Sequence, residues 1–214
     1  MDEPLERFAD REGLLNARGK DGNLVDADIS FLDLHGLDLS GLNLSGALLT
    51  GSDLRGVNLE GSNLTSIFVQ DAEMDGANLK GTEMSQGLLQ RVSLADADFS
   101  GSDLTEAKFF ICKLQRATFA GAGMRDVEML ACDMSRARFE NSDLQGVVMR
   151  ESELDGAEFI SCNLRGVDFR KATLLSARFE SVVVDGALYY GKPPWDGDAK
   201  KADWERIMPT FDGE

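Results

Sequence analysis

The sequence predicts an all-β solenoid: a four-sided β-helix of about eight 20-residue coils with a short helical cap at each end. Three observations carry this expectation. A bulky apolar residue recurs at every fifth position from Leu24 and Ile29 through Phe179, Val184 and Tyr189, 34 consecutive times. Two residues before it stands, for most of the chain, a small side chain such as Ala27, Ala47, Ser62, Ala97, Cys112 or Ala177. Residues 20 apart also resemble one another: Phe99, Phe119, Phe139, Phe159 and Phe179 form one column, whereas Leu24, Leu44, Leu64, Met84, Leu104, Met124, Leu144 and Leu164 form another that has no aromatic residue.

A period of five fits neither a helix, whose apolar stripe recurs at 3.6, nor a strand, which alternates at 2. Five residues can instead make one short extended side and a corner, and four such sides close a square coil. The large residue and the small one two before it then point inward together, as i and i−2 do on extended chain. With rungs about 4.8 Å apart, the 170 residues from 22 to 191 build a rod roughly 40 Å long.

Complete units such as Ala77-Asn78-Leu79-Lys80-Gly81 and Ser102-Asp103-Leu104-Thr105-Glu106 resemble the pentapeptide-repeat family, over about four-fifths of the chain. The resemblance implies a right-handed quadrilateral β-helix. Within the family the chain is similar to the bacterial quinolone-resistance proteins, which imitate duplex DNA and engage type II topoisomerases such as DNA gyrase.

Residues 1–21 break the period and are expected to form a helical lid. Pro4 suits a first helical turn, Asp2 or Glu3 can cap it, Leu5 and Phe8 face one way, and Gly13 is expected to stop it. Such a lid covers apolar side chains and strand edges that would otherwise promote end-to-end growth. In the first coils Leu32, Leu37 and Leu42 replace the small inward residue, so this end is wider or its leucines lean on the lid. Glycines such as Gly36 and Gly46 fall at corners, where positive φ is tolerated. Further on, Asp71, Arg91, Asp96, Glu106, Ile111 or Arg116 takes the corner. No insertion interrupts the repeats, so no loop should project. In residues 192–214, Asp198 can cap a helix over 199–207 with Trp204, Ile207 and Met208 on its apolar side. This end is either a cap or, as the resemblance implies, the contact of a homodimer.

The net charge of −16, from 38 acidic and 22 basic side chains, argues against direct binding to a phosphate backbone and for a protein partner with a basic surface. No apolar stretch is long enough to cross a membrane, and the N-terminus lacks the features of a signal peptide, so a cytoplasmic location is expected. Cys112 and Cys132 stand one coil apart, within disulfide reach. Three inward cysteines in such a chain are nevertheless expected to be free thiols. With a single histidine, His35, and no nucleophile–base pair or phosphate-binding glycine loop, neither an enzyme nor a metal or other cofactor is expected.

Sorting outward residues onto the four sides separates two candidate surfaces. The side centred on Leu24 carries seven acids against two bases, that on Leu34 eight against four, and that on Leu39 six against three, whereas the Ile29 side is balanced at five each. Asp33, Asp53, Glu73, Asp103, Asp133, Asp143 and Glu153 are the candidate binding acids. Duplex DNA of the same length carries on the order of 24 charges, so the rod has about half that density. The Ile29 side presents Leu48, Phe68, Leu88, Phe110 and Leu130 outward, among them a contiguous apolar run of the kind that marks a contact surface. A terminal helix folding back over part of the side would explain such a run as well. The first functional expectation is a DNA-mimic protein that modulates a type II topoisomerase or protects it from inhibitors. The alternative is an interaction scaffold that docks a partner through the Ile29 side.

Overall fold

The computed structural model describes residues 8–21 and 23–190. One helix, α1 (Arg11–Asp21), precedes seven three-residue strands: β1 (Phe68–Gln70), β2 (Leu88–Gln90), β3 (Lys108–Phe110), β4 (Glu128–Leu130), β5 (Arg138–Glu140), β6 (Glu158–Ile160) and β7 (Arg178–Glu180). All pair in parallel, 20 residues apart. Strands β1 to β4 make one sheet on the Ile29 side, and β5 to β7 a second sheet on the side of the phenylalanine column. Isolated parallel bridges with the same separation continue the ladders on every side. From Asn23 to Val183 one ladder takes eight 20-residue steps, through Asn43, Asn63, Glu83, Asp103, Gly123, Asp143 and Asn163. The fold is thus the four-sided β-solenoid that the period of five predicts.

Each side is short because the chain turns after three residues. At most corners the small residue donates its N–H to the preceding large residue's carbonyl, as Val57 does to Leu54 at 3.0 Å. Every fifth residue from Asp26 to Gly186 has φ between 53° and 74°, at fourteen glycines and nineteen other residues. The corner therefore imposes a left-handed backbone whatever side chain occupies it. For an L-residue this costs roughly 1–2 kcal/mol, which packing and rung-to-rung hydrogen bonds offset.

The large inward residues from Leu24 to Leu174 are buried and fill the coil as one core. In the phenylalanine column, rings of adjacent coils stack 4.8–4.9 Å apart with planes within 7°. Phe109 and Phe169, on the opposite, Ile29 side, meet that column edge-on. Cys112, Cys132 and Cys162 are buried free thiols. Contact with Cys112, together with burial, pushes the Cys132 thiol up, so it remains protonated in the core.

The N-terminal helix departs from the expected position. Gly13 does not stop it but lies in its first turn, donating its N–H to Asp10 Oδ1 at 2.8 Å. Asp10 is therefore the cap, placed where its carboxylate satisfies an orphan N–H at the positive end of the helix. Phe8 and Leu14 are buried in the core, and the Phe8 N–H donates to the Asp28 carbonyl at 3.2 Å on the first coil. Pro4, Asp2, Glu3 and Leu5 lie outside the described residues, as do Asp198, Trp204, Ile207 and Met208. Among the described residues no helix is long and apolar enough to cross a membrane.

Candidate functional site

The Leu34 ladder brings Asp33, Asp53 and Glu73 onto three consecutive coils and, further along, Asp133 beside Glu153. Asp103 and Asp143 fall on the Leu24 side, separated by the coil of Gly123. The acids differ in how far the protein neutralises them. Arg55 grips Asp53 through two hydrogen bonds and reaches Glu73 at 3.3 Å. Its hydrogen bond holds the Asp53 carboxyl down at about 2. Asp143 accepts from Arg125 at 2.5 Å and from Asn163 at 2.8 Å. Asp133 accepts from Ser135 and from Gln115.

On the Leu24 side a different group stays outside any ion pair among the described residues: Glu83, Asp103, Glu106 and Asp126, the last of them in the field of its neighbour Arg125. Glu83 and Asp103 are bridged neighbours, and Glu106 and Asp126 occupy successive corners one coil apart, both at positive φ. This compact patch is the largest local excess of negative charge on that side. Of its members only Asp103 stands out from residue counting, because identifying the others requires knowing which carboxylates the arginines reach.

On the Ile29 side, Leu48, Phe68, Leu88, Phe110 and Leu130 are all half-buried. The ladder places Leu48, Phe68 and Leu88 in one outward column, then interrupts it with Lys108 and Glu128, which pair at 2.8 Å. Phe110 and Leu130 continue in the neighbouring column. The apolar run is thus a stepped band across the sheet of β1 to β4. At its edge two residues are much more exposed, Phe31 at 70% and Ile111 at 56%. Every base of this side is paired, including Arg150 and Arg170, which both bind the buried Asp168 carboxylate at 2.5 and 2.7 Å.

Beside Ile111 runs a groove of about 620 Å³ whose walls include Arg55, Glu73, Asp75, Arg91 and Lys113. His35 is exposed, and its backbone N–H donates to Asp33 Oδ1 at 3.1 Å. Among the described residues no three His, Cys, Asp or Glu side chains cluster as metal ligands.

Two descriptions of pentapeptide repeats match the chain, one as a pentapeptide repeat region over residues 112–189 and one as pentapeptide repeats in eight copies over residues 27–65 and 72–109. No curated protein matches it. Among solved structures it is similar to HetL, a pentapeptide repeat protein involved in heterocyst differentiation regulation in the cyanobacterium Nostoc. The identity is 17%, over 84% of this chain and 94% of that one, with a TM-score of 0.43. It is also similar to QnrB1, a plasmid-mediated fluoroquinolone resistance protein, at 17% identity over 76% and 82% of the two chains and a TM-score of 0.43. The matched repeats take in more than two thirds of the sequence and coincide with the described coils: the protein belongs to the pentapeptide-repeat family.

Proposed function

We propose that the protein is a non-enzymatic, acidic interaction rod that occupies the basic DNA-binding groove of a type II topoisomerase, with DNA gyrase as the first candidate. The observation that carries this reading is the unneutralised patch of Glu83, Asp103, Glu106 and Asp126, set on a narrow rod with a net charge of −16. Carboxylates already bonded to arginine, such as Asp53, have little free charge to offer a partner. Those outside an ion pair keep more of their attraction for lysines and arginines lining a DNA channel, and steer the encounter.

The test is a gyrase supercoiling titration with purified protein, with and without a fluoroquinolone, at two salt concentrations. Inhibition or rescue that weakens steeply with salt, and that is lost when Glu83, Asp103, Glu106 and Asp126 are changed to the amides, supports the reading. No effect at micromolar protein rejects it.

A second reading is favoured by the stepped band of Leu48, Phe68, Leu88, Phe110 and Leu130: a scaffold that docks a partner through the Ile29 side. That contact should resist salt and be lost in the Leu48→Ser, Phe68→Ser double variant, whereas binding through the acidic patch should survive it. A homodimer through residues 192–214 would present two such rods to one partner.

A further inference from the structure

Ile111 is the only β-branched residue among the described left-handed corners, with φ at 57°. A branched side chain is a poor occupant of that backbone region. The position would accept glycine, as fourteen other corners do, or Asp and Asn, which visit it readily. Nor does burial explain the choice, because the side chain is 56% exposed. A strained, solvent-facing hydrophobe at the rim of a groove is not what stability alone would select, and such outliers concentrate where a surface is used.

The charges in the groove beside it are mostly engaged. Asp71 holds Arg91 at 2.6 Å, and Arg55 bonds Asp53 and reaches Glu73. Asp75 accepts from the Ser93 hydroxyl at 2.6 Å and the Ala95 N–H at 2.9 Å. Lys113 is the exception: it lines the groove and forms no ion pair among the described residues. Its ladder neighbours are Ser93 and Asp133, and the Asp133 carboxylate is already occupied by Ser135 and Gln115. The groove therefore offers one exposed branched hydrophobe and one unengaged cation, two residues apart along the chain.

We propose that this groove binds a linear segment of a partner protein in which a carboxylate side chain stands beside a branched or aromatic side chain, the carboxylate meeting Lys113 and the apolar group packing on Ile111. The occupant is an internal acidic residue, because Asp71 and Glu73 are held by arginines, Asp75 accepts two hydrogen bonds and lies in the field of Arg116, and a basic segment would have to displace Arg55 or Arg91. The acidity of the rod as a whole does not prevent this contact, since at physiological salt charges beyond about 8 Å are largely screened. The site is independent of the acidic patch and lies at the corner between the Ile29 and Leu34 sides.

The test uses the full chain, immobilised and panned with a phage-displayed library of random linear peptides, followed by fluorescence polarisation of the enriched peptides. Enriched sequences should place Asp or Glu next to Leu, Ile, Val or Phe. Ile111→Gly should weaken binding at least tenfold while raising the thermal midpoint, since it removes the strain together with the contact. Lys113→Gln should weaken binding similarly at unchanged midpoint. Phe31→Gly, which relieves the same kind of corner away from the groove, should leave binding intact. Failure to enrich any peptide, a basic consensus, binding that survives both groove variants, or loss of binding only with loss of fold would each overturn the proposal. The supercoiling titration reads the acidic patch separately, so either site can fail without the other.

Discussion

Phe119 and Phe139 lie face to face in the core, 20 residues apart in sequence, with ring centroids 4.9 Å apart and planes within 4° of parallel. That separation is the rung spacing of the solenoid itself, so the rings stack because parallel strands hold identical side chains in register. Phe139 has a ring on each side, Phe119 and Phe159. Truncating it removes two stacked contacts and leaves a buried void. Phe139→Ala should therefore destabilise by about 3–5 kcal/mol, and Phe139→Leu by clearly less. Chemical denaturation followed by circular dichroism measures both. A loss of under about 1 kcal/mol in the alanine variant would mean that the coils relax to fill the space.

Glycine corners offer a second comparison, between two sites with the same backbone. At Gly36, φ is 64° and an added Cβ would meet nothing within 4 Å, whereas at Gly46 it would stand 2.0 Å from the Asp26 carboxylate on the preceding coil. Gly36→Ala should thus show only the left-handed penalty, roughly 1–2 kcal/mol, and Gly46→Ala more. Adding Asp26→Ala to the second variant should recover the difference. Equal losses at the two glycines would show that Asp26 swings aside without penalty.

The fold was readable because its rule is local and repeats. A large residue at every fifth position and a small one two before it leave few alternatives to a square coil, and the column ending in Phe179 gives away the 20-residue turn. The start of α1 was not readable in the same way, because Asp2, Glu3 and Asp10 are all competent caps and only the burial of Phe8 and Leu14 against the first coil decides between them. Counting charges per side likewise misses which acids remain unneutralised. Arg116 reaches Asp96 one coil back at 2.7 Å, while Lys113, on the same side, has as ladder neighbours only Ser93 and an Asp133 already bonded to Ser135 and Gln115. Ile111 was visible as a corner residue, but its exposure and the adjoining groove emerge only once the coils are stacked.

The buried thiols make a third prediction. Cys112, Cys132 and Cys162 are each no more than 2% exposed, and their Sγ–H groups face carbonyl oxygens of the preceding coil, Leu89, Phe109 and Phe139. Burial pushes the Cys162 thiol up as well, whereas contact with Cys132 pulls the Cys112 thiol down, so at Cys112 it is enclosure in the core that keeps a reagent away. An aromatic disulfide reagent should label none of the three in native protein and all three after unfolding in denaturant. Rapid labelling in native buffer would show that the coils open locally.

Acid should act through particular surface pairs. Arg91 donates two hydrogen bonds to Asp71, at 2.6 and 2.7 Å. These bonds, ahead of the smaller help from Gln70, hold the Asp71 carboxyl at about 2, against an ordinary 3.8. Asp53 is held equally low, first by its hydrogen bond from Arg55. In both cases the folded value lies below the unfolded one, so the charged pair favours the fold above about pH 4 and that contribution is lost as pH falls toward 2. Both pairs are solvent-exposed, which keeps the effect on stability small, and the titration itself is the better readout. Carbon-detected NMR of the side-chain carboxyls should find Asp71 titrating well below the ordinary carboxylate range. Arg91→Gln should bring Asp71 back toward its ordinary range while leaving Asp53 unchanged. If Asp71 already titrates near 3.8 in the unaltered protein, the Arg91 contact does not persist in solution, and Arg91 becomes a second unengaged cation at the rim of the Ile111 groove.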